Sequence, residues 1–96
     1  MPNLEQAYGI LLARLDRAGM TIPDAQADYY RQRLEAAARM LDGNGIHLQD
    51  TVDDTVLLAD YAAWQITNRD KPGEMPAWLR LARRERWLRE EAQNDT

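Results

Sequence analysis

The sequence predicts an all-α fold: a compact four-helix domain with a short extended linker between helices two and three. Three observations carry that expectation. Apolar residues recur at helical spacing in four stretches. Gly19, Gly43-Asn44-Gly45 and Pro72-Gly73 separate those stretches with stop and turn signals. The chain has 96 residues, 45% of them hydrophobic, which leaves room for one core and buries roughly 60–65% of the unfolded surface. The domain is expected over residues 1–92, with 93–96 as a disordered tail.

In helix one, Asn3 and Gln6 resemble a capping pair, and Leu4, Ala7, Tyr8, Leu11, Leu15 and Ala18 repeat at helical spacing up to Gly19. The helix is therefore expected over about residues 4–18. Thr21, Pro23 and Asp24 open helix two, whose inward stripe is Ala27, Tyr30, Leu34, Ala37 and Leu41 and whose stop is Gly43-Asn44-Gly45. Tyr29, Ala36 and Met40 flank that stripe, and such a flank either widens the core or touches a neighbour, so Tyr29 and Met40 become interface candidates.

Ile46-His47-Leu48 is the linker. Asp50 or Thr51 caps helix three, which runs to about Asn68. Val52, Val56, Ala59, Ala63 and Ile66 fall on one side of it, and Leu57, Tyr61 and Trp64 fall nearly opposite. A helix apolar on two sides is buried on two sides, so helix three is the expected centre, with Leu57, Tyr61 and Trp64 in its packing. Arg69 is expected at its end, favoured there by the free carbonyls, tying the following turn through Asp60 or Glu74. Asp70 to Glu74 form that turn, and Met75-Pro76 lead into helix four, which ends near Glu91. Its expected inward face is Trp78, Leu81, Ala82 and Leu88. Trp87 then projects among Arg80, Arg83 and Arg84, placing an indole on the most basic strip of the chain.

Composition narrows the function classes. The chain has no cysteine, which excludes disulfides, thiolate metal sites and thiol nucleophiles, and a cytoplasmic setting is expected. The first residues carry Glu5 and Asp16 and do not read as a signal peptide. No apolar run exceeds four residues, far short of a membrane span. The net charge of −4 is polarised. Residues 1–68 hold five basic and ten acidic side chains, 69–89 hold seven basic and three acidic, and 90–96 hold three acidic.

No motif carries a chemistry. His47 is the only histidine, with no second ligand type at a metal spacing, and reads as a loop histidine. Asp50, Asp53 and Asp54 suit the start of a helix dipole better than acid–base catalysis. Gly43-Asn44-Gly45 neither follows a strand nor precedes a Lys-Ser/Thr pair, so no phosphate loop is indicated. No enzyme, cofactor or metal is expected. The Arg80/Arg83/Arg84/Trp87 strip has two readings: a solvated face whose arginines pair locally with Asp70, Glu74 or Glu90, or an interface, since Trp and Arg are the residues most enriched in interface hot spots.

The pattern D-D-x-x-L-L-x-D-Y-A-A-W-x-x-x-x-R, followed by G-x-M-P-x-W-L-R, is met as Asp53-Asp54, Leu57-Leu58, Asp60 to Trp64, Arg69, Gly73, Met75-Pro76 and Trp78 to Arg80. It resembles the small head-tail connector proteins of tailed phages and prophages, also called head-completion or adaptor proteins. The upstream Gly-x-Gly-Ile-x-Leu is similar to that family too, and the resemblance spans about residues 24–90. It implies a non-enzymatic virion protein assembling as an oligomeric ring beneath the portal protein. Such a ring continues the DNA channel, with non-specific passage of DNA, and presents a platform to a tail-side neck protein. Its implied location is the host cytoplasm during assembly and then the virion neck, with no membrane partner. The alternative is a small helical DNA-binding regulator using the basic helix 76–91. Against that alternative stand an acidic whole and a connection longer than a helix-turn-helix allows.

Overall fold

A computed structural model describes residues 2–69 and 74–94. It contains four helices and, among the described residues, no strand: α1 Leu4–Arg14, α2 Asp24–Gly43, α3 Val52–Thr67 and α4 Ala77–Asn94. The expected all-α four-helix architecture is the observed one. No helix of the described residues is long and apolar enough to cross a membrane.

Local chemistry sets the helix ends. The Asn3 side chain accepts from the Glu5 and Gln6 amides and caps α1. α1 stops at Arg14, four residues earlier than its apolar period suggests. Asp16 takes the left-handed conformation (φ 60°), and the Arg17 and Asp16 amides turn back onto the Leu12 and Ala13 carbonyls. Aspartate tolerates this region better than most residues, so it ends the helix where glycine was expected to. At the end of α2 the same closure uses Gly45 (φ 90°), with Ile46 N–H donating to Leu41 O and Gly45 N–H to Asp42 O. Thr51 caps α3 through Asp54 N–H.

α3 is the centre, packing against each of the other three helices. Asp54, Thr55 and residues 57–63 are buried around its whole circumference, which is what two apolar sides require. Leu11, Leu34, Leu41, Ile46, Leu58 and Leu79 are its fully buried large neighbours and members. Leu57 and Tyr61 are buried as expected, and Trp64 is half-buried, with its ring 6.0 Å from that of Tyr61. One end of the other side is uncovered: Val52 is 79% exposed. Asp60 is buried too, and the Arg14 guanidinium meets it at 2.6 Å, pinning the end of α1 to the middle of α3.

The 70–74 turn falls on residues of which only Glu74 is described. Met75 and Pro76 are half-buried, and the Pro76 carbonyl accepts from the Leu79 and Arg80 amides to begin α4. α4 continues to Asn94, through two residues assigned above to a tail; residues 95–96 lie outside the described chain.

Candidate partner-binding face

α4 packs on α3 alone among the helices, so its rotation decides which side chains remain for a partner. That rotation differs from the expected one. Leu79, Arg86 and Glu90, at positions seven and four apart, form the buried edge, with Ala82 half-buried beside them. Trp78, Leu81 and Leu88, assigned above to the inward face, are 59%, 57% and 49% exposed.

The cause is a buried ionic network. Arg86 donates from Nε to Asp54 Oδ1 at 2.8 Å and from Nη2 to Asp54 Oδ2 at 3.2 Å, to Glu90 Oε1 at 2.9 Å and to the His47 carbonyl at 2.9 Å. The carboxylates are satisfied in turn by main-chain donors: Gln49 N–H to Asp54 Oδ2 at 2.8 Å, and His47 N–H to Glu90 Oε1 at 3.1 Å. Asp54 also lies in the first turn of α3, where the helix dipole favours an anion. The fork on Asp54, reinforced by Glu90, holds the Arg86 guanidinium above its ordinary range although burial works against it. One guanidinium thus locks α4, the linker and the start of α3 together. Reading charge as surface hides this, and the available signal is the Arg86–Glu90 pair at i,i+4 in register with Leu79.

With that edge inward, a contiguous arc of α4 faces out. At about 100° per residue, Trp87, Arg80, Arg84, Leu88 and Leu81 span about a third of the helix circumference. Arg80 and Arg84 are exposed, Arg83 is half-buried, and Trp87 is 39% exposed. One edge of Trp87 rests on Gly45, where a Cβ would come within 3.3 Å of the indole Nε1. Asn44 and Ile46 join Trp87 and the three arginines around a concavity of about 340 Å³. Among the described residues none of Arg80, Arg83 and Arg84 makes an ion pair, and Glu90, one of their expected partners, is taken by Arg86.

The second candidate patch lies apart. Neither Tyr29 nor Met40 lines that concavity. Tyr29 is half-buried, and its hydroxyl accepts from Arg69 Nη1 at 3.2 Å, with the Arg69 guanidinium 5.9 Å from the ring. Arg69 thereby ties the end of α3 to α2, while Asp60, one of its expected partners, is engaged by Arg14. Met40 is 48% exposed, and its sulfur accepts from Gln65 Nε2. His47 is exposed, with Nδ1 2.5 Å from Asp42 Oδ1. No group of three or more His, Asp or Glu among the described residues is arranged to hold a metal ion.

Compared with protein families, with curated proteins and with solved structures, this chain gives no match.

Proposed function

We propose that this chain is a head-tail connector, an adaptor that assembles as a ring under the portal of a tailed phage or prophage and continues the DNA channel toward the tail. The observation that most supports this reading is the outward face of α4. A helix anchored by a buried ionic edge turns an indole, two leucines and arginines without ion pairs toward solvent. Exposed Trp and Arg in that density are the composition of an interface. The portal protein and a tail-side neck protein are the partners proposed for it, met in the host cytoplasm and retained in the virion neck. The acidic body suits a channel in which DNA must slide without sticking, since like charge weakens phosphate contacts.

The DNA-binding alternative loses ground because Arg86, one of the arginines of α4, is consumed by Asp54 and Glu90. Electron microscopy of purified portal rings incubated with the chain separates the two readings. The connector reading expects an added layer on one face of the ring. Bare rings, together with a salt-dependent shift of duplex DNA by the chain, would establish the regulator instead.

A further inference from the structure

The concavity beside Trp87 differs in charge from the other hollows of the subunit. Its lining holds three guanidinium groups, Arg80, Arg83 and Arg84, and no carboxylate. The hollows over α1, between α3 and α4, beside His47 and beside Gln49 each include an acidic side chain, respectively Glu5, Asp53, Asp42 and Asp54. In a chain of net charge −4, a cavity wall of one positive sign is the exception. It also weakens its own helix, because Arg80 with Arg84 and Arg80 with Arg83 are like charges at i,i+4 and i,i+3.

The subunit leaves these donors without acceptors. Among the described residues the three arginines make no ion pair, and neither the Asn44 amide group nor the Trp87 indole N–H makes a side-chain hydrogen bond. The nearby carbonyls at the end of α2 already accept main-chain donors: Met40, Leu41 and Asp42 receive the Asn44, Ile46 and Gly45 amides. Arg83 is half-buried, so its guanidinium has given up part of its water without gaining a partner. What such a wall lacks is an oxyanion, and arginine forks match a carboxylate in shape as well as charge.

We propose that this concavity is a carboxylate seat, which takes an Asp or Glu side chain from an acidic segment of the partner protein between Arg80, Arg83 and Arg84. The proposal deepens, and rests on, the reading of this face of α4 as the portal contact, and it states the chemistry the portal must present there. A protein segment suits the seat better than a nucleic acid strand. Trp87 and Ile46 give it an apolar wall, and Leu81 and Leu88 continue the exposed face of α4 with apolar surface that a phosphate backbone cannot cover. The acidic remainder of the chain repels a long polyanion, whereas a short acidic segment meets only the arginines.

The test is a titration of the isotope-labelled chain, followed by nuclear magnetic resonance, with hexaglutamate, hexaglutamine and a short DNA duplex at one fixed salt concentration. Hexaglutamate is expected to move the Trp87 indole N–H and the guanidinium signals of Arg80, Arg83 and Arg84, and hexaglutamine to leave them in place. Arg83→Gln is expected to weaken hexaglutamate binding about tenfold, the scale of one charge-assisted hydrogen bond. Arg39→Gln makes the same change of charge at an exposed position of α2 outside the concavity, and should change binding by less than about twofold. Arg84→Gln, also exposed, takes the place of Arg83→Gln should that variant lose helicity. Signals unmoved by hexaglutamate, equal weakening by Arg83→Gln and Arg39→Gln, or tighter binding of the duplex than of hexaglutamate would each overturn the seat. Portal plays no part in this titration. Hexaglutamate held by the three arginines beside portal rings that gain no mass from the chain would sink the connector reading alone, and rings that gain as much from Arg83→Gln as from the parent would sink the seat alone.

Discussion

Arg86→Met is expected to release α4 from the domain at a cost of about 3–5 kcal/mol, because it leaves the Asp54 and Glu90 carboxylates buried without their cation. For a domain of this length, whose total stability is on the order of 5–14 kcal/mol, that is a large fraction. The loss should be local in the first instance. α4 touches only α3 among the helices, so amide exchange in 77–94 and in the linker at 46–49 should rise well before exchange in α1. Arg86→Lys keeps a charge but not the fork on Asp54 and should lie between the two. Adding Asp54→Asn to Arg86→Met should recover part of the loss, since the stranded charge is the larger penalty. An Arg86→Met protein that melts like its parent would mean that the network contributes little to docking.

Leu58→Ala is expected to cost about 2–5 kcal/mol, through lost burial and the cavity left behind. Leu58 is fully buried on the one helix that packs against all the others, so neighbours on several sides would have to move together to fill the space. Here the loss should be global, lowering protection in α1, α2 and α3 alike. The measurement is a denaturant melt read by far-ultraviolet dichroism beside the exchange of individual helices. A change confined to one helix would contradict the central placement of α3.

The contrast between these two substitutions marks what hydropathy alone makes legible. The α2 stripe of Ala27, Tyr30, Leu34, Ala37 and Leu41 and the Gly45 closure follow directly from apolar period and turn chemistry, and both are as expected. So is the two-sided burial of α3. The apolar period overextends α1 because Leu15 and Ala18 continue it while Asp16, an ordinary residue for a helix surface, adopts the left-handed conformation that ends the helix. The rotation of α4 escaped the same reasoning for a deeper cause. Sorting by hydrophobicity turns Trp78, Leu81 and Leu88 inward, yet a guanidinium satisfied by two carboxylates and a carbonyl competes for the buried edge and holds it. The candidate strip itself was legible, since Arg80, Arg83, Arg84 and Trp87 do surround one concavity. Its extension through Leu81 and Leu88 was not, because it depends on that rotation.

The central claim is that the outward face of α4 binds the portal ring, and the mass of portal rings in solution, alone and with this chain, tests it most directly. The parent chain should add several copies per ring. Trp87→Ala should keep the fold, since the indole is 39% exposed and lies off the buried Leu79/Arg86/Glu90 edge of α4, while weakening association by about 2 kcal/mol, or roughly 30-fold. Rings that gain no mass from the parent chain, or that gain as much from Trp87→Ala as from the parent, would contradict the claim.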